Sequence, residues 1–139
     1  MDEARRLDLS HYRFERAKEN VRASKELLAS GYINISASRS YYAVFYALLA
    51  VTELDGFEAA KHSGIISYFN RNYVKKNIFA PDTYKLIDKA FKSRRYADYE
   101  GLYITTTEEA QEQISIAEKV IGMIEPYLQS RWAEMEAKQ

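Results

Sequence analysis

The eleven residues "YYAVFYALLAV", positions 41–51, are apolar whichever way the chain is wound. A half-buried strand would alternate and a surface helix would keep a polar side. This run does neither, so it predicts a helix surrounded by other helices at the centre of a bundle. A bilayer crossing takes about 20 apolar residues, so the run is too short to span a membrane. The helix is expected over about residues 34–54. Its small residues Ser36, Ala37, Ser38, Ser40, Ala43 and Ala47 let neighbouring backbones come close, and its tyrosines carry polar tips that need partners. Arg39 stands at its entry.

Only five glycines and two prolines interrupt the chain, close to breaks in a helical rather than a strand-like apolar period. A first helix is predicted over about residues 10–30, with Phe14, Ala17, Val21, Ser24 and Leu28 as one stripe and Gly31 as its stop. A third, over about 63–76, turns Ile65, Ile66, Phe69 and Tyr73 inward and Arg71, Lys75 and Lys76 outward. Pro81 and Asp82 open a fourth, with Tyr84, Leu86, Ile87, Ala90 and Phe91 on its buried side and Lys85, Lys89 and Lys92 wet. Thr105, Thr106 and Thr107, followed by Glu108 and Glu109, form a capping-box-like start for a fifth, whose stripe ends at Leu128. Pro126 is positioned to kink this helix, residues 129–139 form a polar tail, and its end, "EMEAKQ" at 134–139, is expected to fray. The expectation is an all-α protein: one domain over 1–139, core about 9–128, folded as an antiparallel up-and-down bundle of four to five helices.

Net charge is zero, but its distribution is uneven. Residues 61–95 hold nine lysines and arginines against Asp82 and Asp88, whereas residues 96–139 hold nine acids against three basic side chains. A basic middle of this kind can attract phosphates, or it can be the solvated faces of two helices. The chain has no cysteine and only two histidines, His11 and His62, so neither a metal centre nor another cofactor is expected. With no apolar leader or anchor, the protein is expected to be cytoplasmic.

The stretch "FKSRRYADYEG", residues 91–101, carries more ionic and aromatic equipment than a helix end needs. On a continuing helix, Arg94 and Asp98 share a face, as do Arg95 and Tyr99. The first pair is either a surface salt bridge worth a few tenths of about 1 kcal/mol or a carboxylate aiming a guanidinium at a phosphate, with Tyr99 as stacking face. Arg39 either pairs with Asp98 or binds a ligand. His62, in "KHSG", either caps the third helix or faces an anion at its amino end.

Taken in order, "SASRSYYAVFYALLAV", "KHSGIISYFNRNYVKK", "YKLIDKAFKSRRYADY" and "EEAQEQISIAEKVIGMI" resemble the HEPN domain family over about residues 9–128. The resemblance implies a helical bundle that pairs into a homodimer around a polar groove. It also implies a toxin-like partner of a small nucleotidyltransferase, acting on RNA or a nucleotide. Active members of the family are metal-independent ribonucleases that use the ribose 2′-hydroxyl as nucleophile. Their signature is an arginine followed a few residues later by a histidine, and a nearby tyrosine can accept an adenylyl group. Arg94 matches the arginine, but no histidine follows it; Asp98 and Tyr99 stand in that neighbourhood. The resemblance and the residues together give Arg94, Asp98, Tyr99 and His62 as the candidate catalytic set and Arg39, Arg94, Arg95 and Tyr99 as ligand-binding residues; the alternative is a catalytically inactive interaction module on the same scaffold.

Overall fold

The computed structural model describes residues 2–99 and 103–139, and side chains throughout these except at 96–99. Helix α1 spans Glu3–Ala29, α2 Ile33–Leu54, α3 His62–Phe69, α4 Pro81–Tyr99 and α5 Thr107–Ala137; a π-helical turn, Asn70–Val74, extends α3. Among the described residues there is no strand, and no helix is long and apolar enough to cross a membrane.

Helix α2 packs against all four other helices, the position that its all-round apolarity predicts. Ala43, Ala47, Leu48, Ala50 and Val51 are 0% exposed, and Tyr42, Tyr46 and Leu49 are partly buried, so no face of its middle turns is fully open to water. Cross-contacts give the directions. Ser24 meets Ser40 and Ser36, while Ser10 donates to the Ala50 carbonyl at 2.6 Å, so α1 and α2 are antiparallel. Lys25 pairs with Glu118 while Trp132 reaches Ser10, so α5 opposes α1; Thr83 with Met123 and Lys89 with Glu112 set α4 against α5. The four long helices thus run up, down, up, down, and α3 lies within the link from α2 to α4.

The small residues of α2 act as expected. Ser24, Ser36 and Ser40 are fully buried and satisfy one another's hydroxyls and two backbone carbonyls at 2.5–3.0 Å, which lets α1 and α2 approach without leaving polar groups stranded. Gly31 ends the α1–α2 turn at φ 86°, a conformation a side chain would resist.

Three boundaries differ from the sequence expectation, each for a physical reason. Helix α1 starts a full turn or more earlier, because the Asp2 carboxylate accepts the Arg5 N–H at 2.8 Å and Leu7 continues the stripe into the core at 6% exposure. The third helix is not a uniform α-helix to residue 76. It widens at Asn70, where the Lys75 N–H bonds to the Asn70 carbonyl, so that Tyr68 and Tyr73 both donate to Asp55 Oδ2 at 3.0 and 2.6 Å. Residues five apart on an α-helix diverge by about 140°, and only the wider π turn brings both hydroxyls to one acceptor. Helix α5 runs unbroken past Pro126 to Ala137 instead of fraying. Its distal turns are anchored: Trp132 stacks on His11 at 3.8 Å and donates to Ser10 Oγ at 2.8 Å, and Met135 is buried. The capping box forms as expected, with Thr106 and Glu109 exchanging hydrogen bonds at 3.1 Å.

Candidate functional site

Bundle topology brings the amino-terminal half of α2, the start of α3 and the later turns of α4 around one open cleft of about 670 Å³. From α2 come Ser38, Tyr41 and Tyr42; from the approach to α3 come Ala60, Lys61, His62 and Ser63; from α4 come Phe91, Arg94 and Arg95. Three of these side chains are cationic, and the described lining includes no carboxylate, so the cleft favours anions. The amino end of α3 adds to this: Lys61, its N-cap, has no side-chain cap bond and lines the cleft with His62 and Ser63, so the positive end of the helix dipole lies at its wall.

Not all of the basic middle contributes. Lys85, Lys89 and Lys92 are paired with Asp82, Glu112 and Asp88 on the surface, the solvated-face reading of that charge. Lys61, Arg94 and Arg95 are the part that reaches the cleft. Arg94 also borders a second cavity of about 80 Å³, whose other walls include Tyr103, Thr105, Gln113 and the carboxylates of Glu109 and Glu112.

His62 is the first residue of α3, half-buried, with its imidazole stacked on Phe45 at 3.8 Å and edge-on to Tyr42. Its Nδ1 shares a 2.8 Å hydrogen bond with the Tyr41 hydroxyl. Burial lowers its pKa from the ordinary imidazole value, so the ring is neutral at neutral pH and can take up a proton only at cost. Aromatic contacts on two sides and one fixed hydrogen bond hold the ring in a set plane, as a group that handles protons requires.

Of the residues singled out from the sequence, His62, Arg94 and Arg95 meet in this cleft. Arg39 does not line it. Its guanidinium lies over the Tyr42 ring at 4.9 Å and donates to Asn20 Oδ1 at 3.2 Å, while the pairing with Asp98 considered for it falls on a side chain outside the described residues. Asp98 and Tyr99 are on the last turn of α4, and their side chains lie outside the described residues. Sequence reasoning missed Ser38, Tyr41, Tyr42 and Lys61. The signal for the tyrosines was present: two phenols in an otherwise apolar helix demand polar partners, and His62 is one of them.

The HEPN domain profile matches residues 10–127. Among relatives, the Putative toxin of Methanocaldococcus jannaschii is 27% identical over 117 residues, covering 84% of this chain and 80% of its own. A UPF0332 protein of Thermotoga maritima is 31% identical over 114 residues, covering 82% of this chain and 86% of its own. A match spanning α2, α3 and α4 entire and most of α1 and α5, over the residues that build the cleft, places this chain in the HEPN domain family.

Proposed function

We propose that the cleft binds RNA or a nucleotide through its phosphates, and that the protein is the toxin-like member of a HEPN and nucleotidyltransferase pair. One observation carries this reading: Arg94, Arg95, Lys61 and His62, from separate elements, share an open cleft with no carboxylate in its described lining. Guanidinium forks suit phosphate oxygens, and Tyr42 offers an aromatic face for a base. The name of the Methanocaldococcus relative supports the toxin-like role. A homodimer whose interface borders the cleft completes the proposal, and light scattering should report two chains per particle. The binding test is titration with labelled RNA at increasing salt. Affinity should fall steeply with salt, and Arg94→Ala should weaken it by about tenfold, a loss of roughly 1–3 kcal/mol for a charge-assisted contact. Binding indifferent to both changes would falsify the proposal.

A second reading, metal-independent ribonuclease activity, is favoured by the neutral, immobilised imidazole of His62 beside Arg94. In that chemistry His62 takes the proton of the ribose 2′-hydroxyl, the 2′-oxygen attacks phosphorus, and the P–O5′ bond breaks as the 5′-oxygen takes a proton from solvent, giving a 2′,3′-cyclic phosphate and a free 5′-hydroxyl. Arg94 stabilises the charge that builds on the phosphoryl oxygens. His62→Ala should abolish cleavage in chelator while RNA binding persists; cleavage undiminished in that variant excludes this role.

A further inference from the structure

Outside the cleft, the seam between α1 and α2 carries three arginine–tyrosine pairs in a row. Arg39 lies over Tyr42 at 4.9 Å, Arg16 over Tyr46 at 5.6 Å, and Arg13 near Tyr12 at 6.0 Å. The antiparallel register aligns them: Arg39 bonds to Asn20, one turn of α1 from Arg16, and Arg13 bonds to Glu53 further along. Asn20, Arg16 and Tyr12 are four residues apart, so successive pairs are separated by about one helical turn, roughly 6 Å. The row begins at the cleft, because Tyr42 both lines it and packs edge-on to His62 at 5.8 Å.

Core packing does not require this composition. Tyr12 is 55% exposed, and Arg13, Arg16 and Arg39 remain partly exposed at a seam whose interior is filled by serine and alanine. The charges differ along the row. Among the described residues the partners of Arg39 are neutral, the Asn20 amide and the Tyr42 ring. Arg16 is paired with Glu19 at 3.2 Å in an exposed bridge, the kind that exchanges readily for another anion. Arg13 is held by Glu53, whose side chain is only 12% exposed, so the outermost pair offers chiefly the Tyr12 ring. Positive charge therefore declines outward from the cleft while aromatic surface continues. Repeated cation and ring pairs at a regular step are the recognition chemistry of single strands, whose bases are free to stack.

We propose that this seam is a track for single-stranded RNA, guiding the strand that enters the cleft and reading length and strandedness rather than sequence. The proposal rests on the cleft being an RNA site and extends it to a substrate class. Two variants separate the two ideas. Arg94→Ala reports on the cleft, and the double variant Tyr12→Ser with Arg16→Gln reports on the track, at exposed positions where folding is checked by melting temperature. Fluorescence anisotropy with a labelled dinucleotide, a single-stranded dodecamer and the same dodecamer in a blunt duplex provides the readout. The dodecamer should bind the natural protein at least tenfold tighter than the dinucleotide. The track variant should lose about tenfold of that gain, the scale of one lost base stack, with dinucleotide affinity unchanged. The duplex should show no comparable gain. Equal affinity for short and long strands, a duplex that binds as well, or a double variant that keeps the full gain overturns the track. So does a folded double variant that loses dinucleotide binding. Failure of every RNA to bind, or insensitivity to Arg94→Ala, removes the cleft reading and the track with it.

Discussion

His62 shows how surroundings select one state of a side chain. Phe45 and Tyr42 exclude water from its ring and the Tyr41 hydroxyl shares a hydrogen bond with Nδ1, so the folded protein favours neutral imidazole. The consequence for stability has a definite sign. A histidine whose folded pKa is lowered contributes nothing adverse above its unfolded value of about 6.5, and destabilises the fold as pH falls from there through the folded value. Melting temperature should therefore drop on acidification below pH 6.5. His62→Phe, which keeps an aromatic ring against Phe45, should make that drop shallower; an identical slope in the variant would exclude His62 as a source. Arg94 and Arg95 differ from their neighbours Lys85, Lys89 and Lys92 in the same local way. The lysines pair with acids of α4 and α5 along the solvent face, whereas the two arginines line the cleft where α4 faces α2 and α3, and Arg94 also borders the small cavity with Glu109 and Glu112 of α5.

At the scale of elements, the π turn is tied to what it holds. Asp55, just past the end of α2, accepts from Tyr68 and Tyr73 and lies 3.7 Å from Arg131 of α5, joining three elements at one carboxylate. Burial first, and then the Asp55 charge, push the Tyr73 phenol well above its ordinary pKa, so it remains a donor throughout the physiological range. Tyr73→Phe should cost about 1 kcal/mol in urea unfolding, the net value of one such bond. Asp55→Ala should cost more, about 3 kcal/mol, because it leaves two phenols and a guanidinium without their shared acceptor. If Asp55→Ala unfolds no more easily than Tyr73→Phe, the carboxylate does not tie the three elements together. The α1–α2 pair is sensitive in another way. Ala47 is 0% exposed at a close crossing, so Ala47→Leu should destabilise by about 1–3 kcal/mol through overpacking.

For the whole molecule, the last turns of α5 complete the bundle by covering the start of α1. Trp132 is partly exposed, so Trp132→Ala should cost about 2 kcal/mol, somewhat below the loss typical of a fully buried ring, and a melting curve unchanged by it would remove that role. Much of this architecture was legible in the chain itself. Five helices, the central place of α2, the inward stripes of α1, α3 and α5, and the capping box at Thr106 all follow from local periodicity and local hydrogen bonding. The arginines and His62 were legible as chemistry, since charge and an imaginable proton-transfer group can be read from composition alone. What local rules could not supply was partnership across distance: Trp132 holding the polar tail to Ser10, Tyr68 and Tyr73 converging on Asp55, Arg39 donating to Asn20 across the α1–α2 seam. The sequence by itself determined which segments are helical and which faces they bury, because those depend on neighbours three and four residues away. Only the tertiary structure decided that α2, α3 and α4 open a cleft where His62 meets Arg94 and Arg95, because that depends on how whole helices pack and on the side chains each packing leaves facing water.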